Sequence, residues 1–259
     1  MSGLHVGSTG EGPPLVLLHG WAMHAGVFDS WLRTLAGRHR VLAVDLPGHG
    51  RSADVGARTL DAVVDAVAGA LAGIGEALTL VGWSYGGQVA LRWAAREPER
   101  VRRIALVASS PRFVDGDGWT HAMPAATLDA FAEGLAGAPE ATLARFQALQ
   151  VHGGERAREA LATLRDLVRR HPAPSPADLA AALAILRGAD LRRDAAAIRA
   201  PALVVCGDRD AIAPPAASRW LAQAIGGARL ATIPGAAHVP FLTHADALAG
   251  AVDGFLDGR

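Results

Sequence analysis

Apolar positions along the chain fall in blocks rather than in residue-by-residue alternation. Residues 15–19 (LVLLH), 40–45 (RVLAVD), 78–83 (LTLVGW), 103–108 (RIALVA) and 202–206 (ALVVC) are short apolar runs, the pattern of strands covered on both faces. Between them, 59–74, 85–97 and 215–226 carry apolar residues at helical spacing, and 245–257 does so after a last short strand near 229–233. Strands and helices taking turns predict an α/β chain with a mostly parallel, doubly wound sheet that binds ligands at the carboxyl ends of its strands. The turn-taking stops between 111 and 188. That stretch is helical in pattern and broken by Pro124, Pro139 and HPAPSP at 171–176. It predicts a helical lid, 111–188, inserted into a core made of 1–110 and 189–259 and seated over the carboxyl edge of the sheet.

Charge and composition narrow the function. The 259 residues hold 25 basic and 25 acidic side chains, and 51% are hydrophobic. That balance argues against disorder and against binding nucleic acid or a membrane surface by bulk charge. Every basic residue is arginine. The one cysteine, Cys206, lies in ALVVC and reads as a buried strand thiol. The first residues, MSGLHVGSTGEG, lack the basic start and apolar stretch of a signal peptide, and no apolar run approaches the roughly 18 residues that span a bilayer. A soluble, cytoplasmic monomer is the expectation.

Candidate chemistry centres on Gly82-Trp83-Ser84-Tyr85-Gly86, which has the form G-x-S-x-G. It follows the run LTLV and precedes a helical pattern, the strand–turn–helix setting of a nucleophile elbow; an ordinary glycine turn with an incidental serine is the alternative. A serine hydroxyl needs a base within hydrogen-bond reach and an acid to orient that base. The acid is expected just past ALVVC, where GDRDAIAP offers Asp208 and Asp210. Asp210 is the preferred candidate, with Asp208 read as a turn residue bonding its own backbone. Of the ten histidines, His238 in PGAAHVPF follows the final strand and precedes the final helix, whereas His244 follows Thr243, a candidate helix cap. His19-Gly20-Trp21 ends the first strong strand, so the Trp21 amide is a candidate oxyanion donor together with the Tyr85 amide. The Trp21 indole is also placed to floor an acyl pocket. No H-E-x-x-H, paired-cysteine, G-x-G-x-x-G or Walker pattern occurs, so neither a metal nor a cofactor is expected.

These motifs resemble the α/β-hydrolase superfamily, and more closely the pimeloyl-acyl-carrier-protein methyl ester esterases of biotin synthesis. The likeness runs through LVLLHGWAM (15–23), DLPGHGRS (45–52), GWSYGG (82–87), PERV (98–101), VASSPRF (107–113), RFQALQ (145–150), GDRDAIAP (207–214) and AAHVPF (236–241). It implies Ser84 as nucleophile, Asp210 and His238 as its partners, and Trp21 and Tyr85 as oxyanion donors. Trp21, Ser84, Tyr85, His238 and the segment Phe146, Gln147, Ala148, Leu149 and Gln150 would contact substrate. Tyr85 stands where leucine is expected.

The resemblance also implies an acyl carrier protein as partner, docked on lid arginines. Arg145 and Arg158 match such positions, while a further one is replaced near Ala162. Residues 141–171 hold six arginines against three acids, and 112–140 one arginine against five. On a helix over 155–170, Ala157, Leu161, Leu164 and Val168 would form the apolar stripe, with Arg158, Arg165 and Arg169 on its flank; a solvated helix face is the alternative. Three functions are open at this point: a serine carboxylesterase acting on the methyl ester of pimeloyl-acyl carrier protein through an acyl-enzyme, a short-chain esterase, lactonase or C–C bond hydrolase with the same triad, or a hydrolase-fold ligand receptor without turnover.

Overall fold

Seven strands make one sheet in the computed structural model, which describes residues 3–52 and 54–258. They are β1 (Val6–Thr9), β2 (Pro14–Leu18), β3 (Arg40–Val44), β4 (Leu78–Trp83), β5 (Val101–Val107), β6 (Ala202–Gly207) and β7 (Arg229–Ile233), in the order β1-β3-β2-β4-β5-β6-β7. β1 runs antiparallel to β3 and all other neighbours are parallel. The antiparallel edge is absent from the sequence reading, because VGST has no apolar run and is half exposed. Successive residues of the inner strands enter opposite halves of the core: Leu15, Leu17, Val81 and Val205 on one side, Val16, Leu18, Leu80 and Val204 on the other. Burial on both faces is why these strands read as continuous apolar runs.

Helices α1 (Asp29–Leu35), α2 (Leu60–Ala70) and α3 (Tyr85–Arg96) follow β2, β3 and β4. Four helices, α4 (Ala125–Gly137), α5 (Pro139–Val151), α6 (Ala157–Val168) and α7 (Pro176–Gly188), occupy the stretch between β5 and β6, followed by the short α8 (Arg192–Ala197). The chain ends with α9 (Pro215–Ala224), α10 (Pro240–Thr243) and α11 (Ala245–Leu256). Leu35 of α1 and Leu248 of α11 cover the Leu15 side of the sheet, and Val63 of α2, Val89 of α3 and Leu221 of α9 the other. The Thr59 side chain accepts from the Ala62 amide and starts α2, which ends at Ala70 rather than at 74.

Two further expectations are corrected. Ala160, Leu164 and Leu167 are the fully buried residues of α6, while Ala157, Leu161 and Val168 of the expected stripe are half-buried at the edge of the same core. Leu164 packs in the same core as Phe28, and that seat turns the buried face by roughly 60°, so Arg158 and Arg165 point away from it instead of flanking it. Thr243 caps nothing: it is the last residue of α10, and its hydroxyl donates back to the Val239 carbonyl.

Two close approaches place the turn after β4. A Cβ on Gly86 would lie 2.1 Å from the Leu18 carbonyl oxygen, and one on Gly82 would lie 2.3 Å from the Gly86 carbonyl oxygen. Strand and helix therefore meet at a distance that no side chain permits. The β2–β4 register, Leu18 opposite Gly82, sets the turns after these two strands side by side. The chain departs from β2 to β3 on one side and to β4 on the other, so this is the topological switch point of the sheet.

A buried polar network fixes the turn after β2. One Asp45 oxygen accepts from the Ala25 amide at 2.7 Å, and the other accepts from the amide and Nε of Arg51 at 3.0 and 2.9 Å. Burial pushes the Asp45 carboxyl up, but the Ala25 and Arg51 donors outweigh it and hold the group below its ordinary range. His19 donates from Nδ1 to the Gly20 carbonyl at 2.8 Å and accepts the Leu46 amide on Nε2 at 2.9 Å. Burial, with His49 beside it, pushes the His19 pKa from 6.5 down to about 3.

Two outcomes are expected. Gly86→Ala should cost about 3 kcal/mol or more in urea unfolding, because backbone atoms must separate; a loss under about 1 kcal/mol would show that the contact yields. His19, neutral in the fold, protonates in the unfolded chain, so its contribution is whole above pH 6.5 and is lost as pH falls toward 3. At pH 5 His19 alone should cost about 2 kcal/mol, read as a lower urea midpoint than at pH 7.5; equal midpoints would refute the assignment.

Candidate active site

Ser84 sits at the tip of the turn between β4 and α3 with φ 55° and ψ −118°. That conformation is costly for any residue with a side chain and is held by the glycine contacts on either side. The Ser109 hydroxyl adds a hydrogen bond to the Ser84 carbonyl at 2.8 Å.

His238 comes from the loop between β7 and α10. Its Nε2 lies 2.9 Å from Ser84 Oγ and its Nδ1 lies 2.8 Å from an Asp210 carboxylate oxygen. A carboxylate only accepts, so Nδ1 carries the proton and Nε2 is free to accept from the serine hydroxyl. The other Asp210 oxygen accepts the Ile212 and Ala213 amides, both at 2.9 Å. The backbone of His238 is pinned twice, its amide donating to the Gln150 carbonyl at 3.0 Å and its carbonyl accepting from Trp83 Nε1 at 2.8 Å. All three side chains are buried: Ser84 is 5% exposed, Asp210 3% and His238 1%.

Asp208 stands apart from this chain of contacts. Its carboxylate accepts the Gly235 amide at 2.7 Å, so it ties the loop after β6 to the loop after β7 rather than bonding its own turn. The parallel register of β6 and β7, Gly207 opposite Ile233, brings those loops together. His244 lies near Glu155, with its Nδ1 against the Thr243 hydroxyl, outside this constellation.

Trp21 lies in the turn after β2, and its amide makes no hydrogen bond to the protein among the described residues. The Tyr85 amide opens α3, one of the helix-start N–H groups that have no acceptor within their own helix. The Trp21 indole donates to the Leu179 carbonyl of α7 at 3.0 Å and meets the Phe146 ring edge-to-face at 4.7 Å. The Tyr85 ring is buried in the core on the α3 side, and burial pushes its hydroxyl pKa above the ordinary tyrosine value.

A narrow apolar cavity opens on Ser84, walled by Trp21, Phe113, Met123, Leu128, Phe131, Phe146, Leu183, Leu186 and Ile212. Of the sequence candidates 146–150, Phe146 reaches this wall and Gln150 supports His238 through its carbonyl; Gln147, Ala148 and Leu149 are half-buried on α5 and are not among the wall residues. The wall from α4 and α7 escaped the sequence reading. Its only signal there is the apolar content of the helical insert. Arg145, Arg158, Arg165 and Arg169 are all exposed. Arg145 reaches the Thr142 hydroxyl and Arg169 pairs loosely with Asp166 at 3.7 Å. Arg158 and Arg165 have no acidic partner among the described residues.

The family model of the α/β-hydrolase fold matches residues 13–245. The chain is 44% identical over 243 residues to a pimeloyl-[acyl-carrier protein] methyl ester esterase of Nitrosomonas europaea, covering 94% of this chain and 95% of that one. It is 46% identical to the protein of the same name from Chromobacterium violaceum, covering 93% of each. Among solved structures, an esterase from Exiguobacterium antarcticum superposes with a TM-score of 0.90 at 22% identity, over 98% of this chain and 95% of that one. Strand order, elbow and sequence likeness agree: the chain is an α/β hydrolase and belongs to the family of pimeloyl-[acyl-carrier protein] methyl ester esterases.

Proposed function

We propose that this protein hydrolyses the methyl ester of a pimeloyl group carried on acyl carrier protein. The observation that carries the chemistry is the continuous hydrogen-bond chain Ser84–His238–Asp210, buried beside an apolar cavity that Ser84 itself lines. Its relatives' shared name carries the substrate.

Ser84 is the nucleophile. As its oxygen attacks the ester carbonyl, the proton passes to Nε2 of His238, and Asp210 stabilises the imidazolium that forms. The carbonyl oxygen becomes an oxyanion, with the Trp21 and Tyr85 amides as its donors. Collapse breaks the bond to the methoxy group, which takes the proton from His238 and leaves as methanol. Water then enters, loses a proton to His238 and attacks the acyl-serine, freeing the carboxylic acid and restoring Ser84. The apolar wall suits a methylene chain and carries no group to hold a charged acid there. It accounts for acting on the uncharged methyl ester and releasing the charged product.

Residues 111–188 serve in this reading as a lid that supplies most of the wall. Arg145, Arg158, Arg165 and Arg169 take the acidic carrier protein. What supports them is exposure, and for Arg158 and Arg165 the lack of an internal acidic partner.

Replacing Ser84 with alanine should abolish release of methanol, at least 10³-fold below wild type, with the urea midpoint unchanged; substantial turnover by a clean preparation would refute the nucleophile. The double variant Arg158→Ala/Arg165→Ala should lower kcat/KM for the carrier-linked ester roughly three- to tenfold, with free dimethyl pimelate turned over as before. The gap should close in high salt. Equal losses on both esters would show that these arginines do not dock a carrier.

A further inference from the structure

Of the ten residues that wall the Ser84 cavity, nine are buried and only Phe131 is partly open to solvent. Phe131 also lines a second space, an open outer groove formed with Ala126, Thr127, Ala130 and Arg145, and it is the one residue the two share. The two spaces therefore lie on opposite sides of the α4–α5 pair, with the Phe131 ring common to both. On α4, Leu128 and Phe131 face the cavity while Thr127 and Ala130 face the groove, and on α5 the consecutive residues Arg145 and Phe146 divide in the same way.

The barrier is held lightly on its outer side. α4 packs mainly on α5 and α7, its start has no side-chain cap, and an exposed pair, Arg187 with Asp129, ties it to α7. Phe131 meets Phe146 edge-to-face at 5.8 Å, and Phe146 meets Trp21 at 4.7 Å, so three rings lead from the groove to the turn beside Ser84. Edge-to-face pairs are weak, and a half-exposed ring changes rotamer quickly. The innermost ring is different, because the Trp21 indole is fixed by its bond to Leu179. Of the three rings, Phe131 is the one that is both partly exposed and without a polar or fully buried anchor.

We infer that Phe131 is the gate and the chain-selecting residue of the active site: substrate reaches Ser84 from the α4–α5 groove by displacing this ring. The occupant of the groove is the arm that tethers the acyl chain to its carrier, an extended, largely uncharged chain with an anionic phosphate that Arg145 at the groove meets with opposite charge. This occupant rests on the carrier-linked reading above, whereas the gate itself does not. With the ring aside, an extended methylene chain threads between Leu128 and Phe146.

The test is the rate at which Ser84 is labelled by a fluorophosphonate bearing a ten-carbon chain, a probe that needs access but no natural substrate. Phe131→Ala should speed labelling about tenfold and Phe131→Trp should slow it by as much. Ala130→Trp fills the groove outside the cavity wall and guards against a Phe131 variant that misfolds; it should slow the same probe at least fivefold. Labelling within twofold of wild type in Phe131→Trp and Ala130→Trp, with urea midpoints unchanged, overturns the gate. With the carrier-linked methyl ester, the two tryptophan variants should lose kcat/KM in parallel with labelling. A wild-type protein that is labelled rapidly but leaves that ester intact would refute the substrate reading while the labelling series still decides the gate.

Discussion

The contact between the Leu18 carbonyl and the α-carbon of Gly86 governs the site. Because nothing projects from Gly86, α3 begins directly against the end of β2, and the chain between β4 and α3 has no room to turn gradually. Ser84 is left at positive φ, with its hydroxyl projecting above the sheet and its neighbour's amide at a helix start. The same contact brings the turn after β2, which carries Trp21, within reach of the serine. The Ser84 hydroxyl and the Trp21 and Tyr85 amides are in this way placed by one backbone approach. The cost of the strained serine is spread over the core on both sides of the sheet.

Rigidity around that point comes from buried polar groups that are individually satisfied. Asp45 binds three N–H groups, and His19 accepts one amide while donating to its neighbour's carbonyl. Removing a partner from such a set leaves a desolvated donor or acceptor, which costs more than the bond itself contributes. The loops at 19–25 and 45–52 are consequently tied to each other. The triad is built by the same rule. Asp210 has amides on one oxygen and His238 on the other, and His238 has its backbone held from both sides. On the core side the site is held by hydrogen bonds, and on the side of the helical insert by apolar contacts.

That division explains what could be read from the sequence. The inner strands are covered on both faces and announce themselves as apolar runs, and the elbow is legible because a G-x-S-x-G between strand and helix has few other uses. Asp210 and His238 follow from their positions after β6 and β7. β1 has no such signature, since an edge strand of VGST buries little. The role of Asp208 depends on Gly235, which is remote in sequence and adjacent only through the β6–β7 pairing. The cavity wall was illegible for a related reason. Leu128, Phe131, Leu183 and Leu186 come from two helices, and nothing in either helix states which apolar residues meet the other helices and which meet open space. The buried centre of α6 is subject to the same ambiguity, because its apolar residues form a broad stripe and only the partner, not the pattern, selects its centre.

The neutral total charge conceals a division of labour within the insert. Its first half, with α4, is acidic and supplies apolar residues to the cavity wall, and its second half, with α6, is basic and turns its arginines outward. Arg145 lies where the two meet, at the groove that backs onto the Ser84 cavity. An acidic carrier would be drawn to α6 and repelled from α4, so its attraction orients it as well as holding it. With arginine as the only basic residue type in the chain, each contact keeps its charge at any physiological pH and presents a planar fork. Orientation matters here because a tethered acyl chain has a fixed length: a carrier docked over α4 would cover the groove, whereas one docked on α6 leaves it open and delivers the chain along it.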